Sequence, residues 1–262
     1  MNTSISIIGC GWLGLPLGKH LATSGYQVKG STTRRDKLTR LGRASIKPYQ
    51  LTFDPDLVGD PEDFFTSDIL IINIPPRNQN DDPDFHIKQL QNIQQLANNR
   101  ISRVLFVSST GVYPNTNGVV TEMDADVRQL SRGGVSLLEV ENFFRDNIHF
   151  QTTVIRFGGL YGPGRHPGRF LAGKKNLSGA ENPVNMIHLE DCIGVIETII
   201  KLDIWGETFN ACSTTLSSRR AFYHQAAKDL GIIPPEFNDE PAPFKKVSSE
   251  RLVRTTGYQF KY

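Results

Sequence analysis

Ile7-Ile8-Gly9-Cys10-Gly11-Trp12-Leu13-Gly14 is the stretch on which the reading of this 262-residue chain turns. A short β-branched run, residues 4–8, leads into Gly-x-Gly-x-x-Gly, and an amphipathic segment over residues 13–24 follows. This strand–loop–helix context separates a dinucleotide fingerprint from a chance match. The first glycine permits the tight turn, the second lets the backbone approach a pyrophosphate, and the third lets helix and strand pack closely. The helix start then offers N–H groups and a positive dipole end to the phosphates. Gly9, Gly11, Trp12, Leu13 and Gly14 are therefore cofactor-binding candidates, with Trp12 suited more to packing than to chemistry. The competing reading is a Gly-rich turn used only for packing.

Working outward, strands and helices alternate through the first 155 or so residues. Strands are expected at 26–31, 46–53, 68–74, 103–107 and 152–157, and helices at 36–41, 85–98 and 135–144. Apolar runs alternating with amphipathic helices imply a parallel sheet covered on both faces. Ligands in such sheets bind beyond the carboxyl ends of the strands. The loops after Ile8, Ser31, Ile74, Val107 and Phe157 are thus expected to line one cleft. This adds Asn73, Ile74, Pro75, Val107, Ser108, Gly158 and Gly159 to the cofactor-binding candidates. After Phe157 the texture changes to Gly, Pro and basic residues, with helices expected at 191–202 and 217–230 and a short strand at 207–212. The fold class predicted is α/β, a Rossmann doubly wound parallel sheet with a small C-terminal substrate lobe. Residues 1–157, with 188–212 returning, form the expected dinucleotide-binding core, and 158–187 with 213–262 the lobe.

Composition fits a soluble enzyme. Hydrophobic content is 38%, charged content 21% and net charge +2, which gives no support to nucleic-acid binding. Three cysteines without a CxxC fit a reducing compartment and argue against a disulfide scaffold. No apolar run approaches ~20 residues, so no membrane span is expected. The N-terminal apolar run is too short for a signal peptide, and the expected location is cytoplasmic. The expected partner is a small-molecule substrate, with the chain a monomer or homodimer.

Gly30-Ser31-Thr32-Thr33-Arg34-Arg35 ends the second strand. An NAD-preferring site usually places a carboxylate here for the ribose 2′-OH. None occurs before Asp36. Small hydroxyls followed by two arginines suit a 2′-phosphate. Ser31, Thr32, Thr33, Arg34 and Arg35 thus point to NADP in preference to NAD. The bland alternative is that both arginines are exposed residues at a helix start.

Ser108-Ser109-Thr110-Gly111-Val112-Tyr113 follows the strand at 103–107. Arg156 precedes Leu160-Tyr161-Gly162-Pro163-Gly164, and Ile187-His188-Leu189-Glu190-Asp191 and Lys246-Val247-Ser248-Ser249-Glu250-Arg251-Leu252 come later. In this order the four pieces resemble the extended short-chain dehydrogenase/reductases, the NAD-dependent epimerase/dehydratase family. The resemblance spans essentially the whole chain. It implies a Rossmann fold, a nicotinamide cofactor, a catalytic role for Ser109 and a substrate-facing role for the region after Tyr161.

The departures matter more than the matches. The family fingerprint usually has a further glycine where Ile8 stands. Aligned on the helix after residue 131, Gly133 stands at the family's catalytic Tyr and Leu137 at its Lys. No Tyr or Lys occurs between Tyr113 and Tyr161. Gly159 replaces the usual Asn. A Tyr–Lys relay of general acid–base type contributes ~10²–10⁴-fold, and Gly and Leu supply none of it.

Arg165, His166 and Arg169 decorate a loop of two prolines and three glycines, residues 162–170. With Thr110 and Tyr161 they are substrate-binding candidates, and the arginine forks suit an anionic group. The competing reading is a solvated basic loop. Tyr161 and His188 are candidate proton donors beside Ser109, although the family match gives His188 a structural place before a helix. No His/Cys/Asp cluster has metal-ligand spacing, and no metal is expected.

The function expected is an oxidoreductase or epimerase acting on a small or sugar-like anionic metabolite. One alternative is a catalytically lapsed NADP(H)-binding sensor or regulator. Another, suggested by the Gly9–Gly14 loop alone, is a β-hydroxy-acid or ketopantoate-type dehydrogenase, which would usually carry a long all-helical C-terminal domain.

Overall fold

A computed structural model of the chain describes residues 3–61, 63–76, 84–126, 132–214 and 217–262, without the side chains of 132–136. Its elements run β1 (Ser4–Ile8), α1 (Gly14–Thr23), β2 (Gln27–Thr32), α2 (Leu38–Arg43), β3 (Lys47–Gln50), β4 (Thr52–Asp54), β5 (Asp56–Val58), β6 (Ile69–Ile72), α3 (Phe85–Ala97), β7 (Arg103–Ser109) and β8 (Val119–Val120). They continue through α4 (Arg132–Arg145), β9 (Gln151–Phe157), β10 (Gly159–Tyr161), α5 (Gly168–Leu171), β11 (Met186–His188), α6 (Leu189–Lys201), β12 (Thr208–Ala211), α7 (Arg219–Asp229), β13 (Lys246–Val247) and α8 (Glu250–Thr256).

Seven strands form one parallel sheet in the order β12-β9-β7-β6-β1-β2-β3, so the doubly wound α/β expectation holds. The order shows why the central strands are apolar without alternation. Ile69, Leu70, Ile71 and Ile72 of β6 and Ile5, Ile7 and Ile8 of β1 are all buried, because helices cover both sheet faces. Helix α1 sets Leu17 and Leu21, one turn apart, into this core. A Cβ at Gly18 would lie 2.7 Å from the Ile46 side chain, so that glycine lets α1 settle close to the sheet.

One strand departs from expectation. The run at 46–53 was predicted as a single strand, and it breaks after Gln50. Only β3 joins the sheet, while β4 folds back antiparallel on β5. A tight turn at Pro55 pairs Thr52–Asp54 with Asp56–Val58 instead of with the sheet.

The chain forms two compact units. The first comprises Met1–Ser108, Arg132–Ile155 and Ile199–Thr208, and holds most of the sheet. The second comprises Ser109–Ser131, Arg156–Thr198 and Phe209–Tyr262, a wider set of segments than 158–187 and 213–262. It contains the short parallel pairs β10–β11 and β13–β8 with α5, α7 and α8. Its interior is organised by Arg156, which is buried and donates to the Tyr113 hydroxyl at 2.7 Å and the Glu122 carbonyl at 3.1 Å. Among the described residues no helix is long and apolar enough to cross a membrane.

Candidate functional site

In the first unit, β1 ends in Gly9, whose φ of +92° is left-handed and natural only to glycine. The Gly9 N–H donates to Ser31 Oγ at 3.3 Å, and the Cys10 N–H donates to the Ser31 carbonyl at 2.9 Å. The end of β6 locks the loop from the other side. Asn73 N–H donates to the Ile8 carbonyl at 2.9 Å, and its side-chain amide donates to the Gly9 carbonyl at 3.0 Å.

The three glycines differ in what demands them. A Cβ at Gly9 would stand 2.2 Å from the Asn73 carbonyl oxygen, and one at Gly14 would stand 2.3 Å from the Gly9 carbonyl oxygen. The protein's own packing requires both. A Cβ at Gly11 would meet nothing within 4 Å. Gly11 is exposed, and its lack of a side chain serves no internal contact. Helix α1 begins just beyond, with no side-chain cap and no acidic residue in its first turn. Leu15 N–H donates to the Gly11 carbonyl at 3.2 Å and Pro16 has no N–H, so it is chiefly the dipole end that this start offers an anion. Trp12 is half-buried and Leu13 buried.

A cavity of about 230 Å³ adjoins this loop. Gly9, Ser31, Thr32, Thr33, Ile74 and Pro75 line it, which gathers the loops after β1, β2 and β6. Phe53, Asp54 and Gln89 line it too, and sequence reasoning missed them. Gln89 is held there by a 2.7 Å bond from Nε2 to the Phe53 carbonyl. The only advance signal for Asp54 was an acidic residue close after a strand. Arg34 and Arg35 are exposed, and Arg34 grips Asp36 through Nε at 3.0 Å and Nη2 at 2.5 Å.

At the end of β7, neighbouring serines have different surroundings. Ser108 is buried and donates to the fully buried Glu141 at 2.5 Å. Its hydroxyl proton is thereby committed to the protein. Ser109 is exposed, and its Oγ accepts from the Gly111 N–H at 3.1 Å, capping a 3-10 turn at Thr110–Val112. That bond uses one lone pair and leaves the O–H for a ligand. Thr110 is buried in the turn, and Val107 is half-buried.

In the second unit Tyr113 is structural. Its hydroxyl donates to Asn210 Oδ1 at 2.6 Å and receives Arg156, and burial pushes its pKa up to about 12. Gly158 and Gly159 have packing reasons of their own. Their Cβ atoms would stand 2.6 Å from the Asn185 carbonyl oxygen and 2.4 Å from Met186 Sδ.

Tyr161, His166 and His188 come together with Phe222 and Tyr262 around an open cavity of about 550 Å³. The Tyr161 and His188 rings meet edge to face at 5.1 Å. Burial raises the Tyr161 pKa and lowers that of His188, so both are neutral near pH 7. His188 Nδ1 accepts from the Glu190 N–H at 3.3 Å, which leaves the proton on Nε2. His166 Nδ1 likewise accepts from the Gly168 N–H at 3.2 Å. Arg165 and Arg169 are exposed and are not among the residues lining this cavity.

The three cysteines are free and buried. Burial pushes Cys10 and Cys212 up to about 12 and Cys192 well above the usual thiol range, so none is a nucleophile near neutral pH. Leu137, expected from the resemblance to stand where a relay lysine would, is buried in α4. Gly133 lies in the same helix, in the part whose side chains are outside the described residues. Among the described residues no group of three or more His, Cys, Asp or Glu side chains could hold a metal ion.

The seven-stranded parallel sheet and its glycine turn define a Rossmann-type α/β fold. The chain belongs to the same family as Protein YeeZ of Escherichia coli K12, to which it is 34% identical over 264 residues, covering 98% of this chain and 96% of that protein. No protein-family model matches it. Among solved structures, a short-chain dehydrogenase/reductase superfamily protein from Agrobacterium tumefaciens with bound NAD is 17% identical, with a TM-score of 0.76 over 99% of this chain and 93% of that one. MoeE5 in complex with UDP-glucose and NAD is also 17% identical, with a TM-score of 0.77 over 99% and 94%. At these identities the likeness is one of fold.

Proposed function

We propose that this protein is an NAD(P)-dependent oxidoreductase or epimerase acting at a hydroxyl or keto carbon of a small or sugar-like anionic metabolite, with NADP(H) preferred. The observation that carries the reading is Gly11, a glycine that no contact inside the protein requires, standing before an uncapped helix start. A dinucleotide pyrophosphate explains its lack of a side chain. That similar folds are solved with NAD bound supports the same assignment.

A bound nicotinamide cofactor supplies hydride transfer. Gly9, Gly11, Trp12, Leu13 and Gly14 hold its pyrophosphate, while Asn73, Ile74 and Pro75 close the loop behind them. Ser31, Thr32 and Thr33 receive the adenosine ribose. Arg34 and Arg35 receive a 2′-phosphate, since an exposed arginine–aspartate pair has little net strength and yields to a more highly charged phosphate. Asp54 favours hydrogen-bond donors of the adenosine. Val107, Ser108, Gly158 and Gly159 shape the strand ends. Ser109 donates to the reacting oxygen, and Thr110, Tyr161, Arg165, His166 and Arg169 serve the substrate. Tyr161 and His188 are the candidate proton donors in place of the missing tyrosine. Residues 1–157 with 188–212 carry the cofactor, and 158–187 with 213–262 the substrate.

The test is a metabolite screen following NADPH absorbance, then Ser109→Ala on any substrate found. The expected result is a loss of ~10²-fold or more in turnover with cofactor binding intact. An unchanged rate would place the reacting oxygen elsewhere. A second reading, a nucleotide-binding sensor, is favoured by buried Leu137 at the relay position. It becomes the better one if NADP(H) binds tightly and no hydride transfer is found. The hydroxy-acid dehydrogenase reading is set aside, because the second unit mixes short strands with its helices.

A further inference from the structure

Lys245 carries a charge that the protein itself does not balance. Its ammonium is half-buried in the second unit and donates to the Tyr113 carbonyl at 2.6 Å. Among the described residues it makes no other hydrogen bond and no ion pair. The Cys212 thiol is within electrostatic reach, but burial holds its pKa up at about 12, so near neutral pH it brings no counter-charge. Burial also pushes the Lys245 pKa below the usual lysine range. An ammonium taken partly out of water and set against one neutral carbonyl is costly unless an anion joins it.

The backbone around Lys245 is held by other groups. The Asn117 N–H donates to the Phe244 carbonyl at 2.8 Å, the Phe244 N–H donates to Asn117 Oδ1 at 3.0 Å, and the Lys246 N–H donates to the Gly118 carbonyl at 2.9 Å. Asn185 holds the opposite edge. Its Nδ2 donates to the Lys245 carbonyl at 2.8 Å, and its Oδ1 accepts from the Val247 N–H at 2.8 Å. These bonds fix residues 244–247 without the ammonium, so tethering the segment does not account for the charge.

The surroundings of Lys245 follow the ends of sheet strands. Tyr113 closes the turn that begins on Ser109, whose exposed hydroxyl is left for a ligand. Cys212 follows β12, and a Cβ on Gly158, the residue after β9, would stand 2.7 Å from its sulfur. The Asn185 carbonyl accepts from the Gly159 N–H at 2.7 Å, which ties the same residues to the Lys245 segment. Lys245 thus lies among residues that follow the carboxyl ends of β7, β9 and β12, three neighbouring strands. Sheets of this kind bind ligands beyond those ends. Arg165 and Arg169, by contrast, are exposed, and an ion pair made in full solvent is weaker than one made by a partly desolvated ammonium.

We propose that Lys245 is the anion-binding residue of the substrate site: its ammonium pairs with a carboxylate or phosphate of the substrate and so selects an anionic metabolite over its neutral counterpart. The proposal rests on the enzymatic reading above and deepens it, by assigning the recognition of charge to one residue.

The experiment titrates the full chain by saturation-transfer NMR with glucuronate, α-glucosyl phosphate and methyl α-glucopyranoside, and separately with NADPH. The two anions carry the two candidate charges on one kind of ring, and the glucoside is the neutral control. At least one anion should bind ~tenfold or more tightly than the glucoside, the scale of one charge-assisted hydrogen bond, and the tighter of the two identifies the charge. Lys245→Met should remove that advantage and Lys245→Arg should keep most of it, with NADPH affinity unchanged in both. If Lys245→Met fails to fold, the wild type is labelled with acetic anhydride and its peptides are analysed by mass spectrometry. The tighter anion should then protect Lys245 from acetylation and leave the exposed Lys174 and Lys175 open. The proposal is overturned if neither anion binds better than the glucoside, if Lys245→Met keeps the advantage, or if the anion leaves Lys245 acetylation unchanged. Failure of the wild type to bind NADPH would instead count against the enzymatic reading, while the anion titrations still decide the role of Lys245.

Discussion

The side-chain amide of Asn73 donates to the carbonyl of Gly9 at 3.0 Å, and this bond joins the end of β6 to the turn after β1. It holds the Gly9 carbonyl where a Cβ on Gly14 would collide with it, at 2.3 Å. Helix α1 can therefore start only on a glycine at position 14. Gly11, by contrast, has open space. Gly14→Ala should lower stability by ~1–3 kcal/mol through overpacking against backbone, with dinucleotide binding lost as well. Gly11→Ala should leave the melting temperature nearly unchanged and weaken only the nucleotide. Thermal melts and NADPH titrations of the two variants check this contrast, and equal destabilisation by both would contradict it.

The Tyr113 hydroxyl lies between Arg156 and Asn210 in the interior of the second unit. Its folded-state pKa is raised to about 12, chiefly by burial. An unfolded tyrosine titrates near ~10. The folded state thus holds the proton more tightly, and stability that is fully present below about pH 10 declines as pH rises toward 12. Tyr113→Phe should remove this part of the alkaline decline. Near neutral pH it should cost ~1–3 kcal/mol, because the buried Arg156 and Asn210 lose a partner. Denaturant melts of both proteins from pH 7 to 11 measure it.

Leu137, which the resemblance aligns with a relay lysine, is buried. Leu137→Lys alone should destabilise the protein by ~1–3 kcal/mol, since a core position receives an ammonium. It should not raise turnover on any substrate found by screening. Urea unfolding and a rate assay on the same preparation decide the matter. A stable variant with restored activity would show that the relay is latent here.

Arg34 is exposed and paired with Asp36, so its charge is available at little cost to folding. Arg34→Gln with Arg35→Gln should narrow the preference for NADPH over NADH while leaving NADH affinity close to that of the wild type. Parallel titrations of both nucleotides test it. Equal affinities in the wild type would remove the NADP preference and leave Asp54, in the adjoining cavity, as the better guide to the ribose.

The first turn was legible because its signal is local. Three glycines at fixed offsets between an apolar strand and an amphipathic helix leave few other outcomes, and β6 and α3 were readable from apolar runs and helical spacing. The run at 46–53 reads as one strand because the alternation of Tyr49, Leu51 and Phe53, all buried, continues across the break after Gln50, and the hairpin that claims Thr52–Asp54 is marked only beyond it, at Pro55. Arg165 and Arg169 were visible as a basic loop, but sequence could not show that the cavity lining beside them omits both. Asp191 accepts hydrogen bonds from Tyr258 and Tyr262, 67 and 71 positions away, which no local pattern encodes. The segment 246–252 was read as a signature, without the strand β13 and helix α8 it forms.

Everything proposed for this protein depends on dinucleotide binding at the turn after β1. The most direct test is a fluorescence titration of NADPH into the wild type and Gly11→Asp, with circular dichroism on both. Saturable binding to the wild type is expected. Loss of binding is expected in Gly11→Asp without loss of fold, because the carboxylate takes the space of the pyrophosphate and repels its charge. A folded Gly11→Asp protein with unchanged NADPH affinity, or a wild type that binds neither NADPH nor NADH, would contradict dinucleotide binding at this turn.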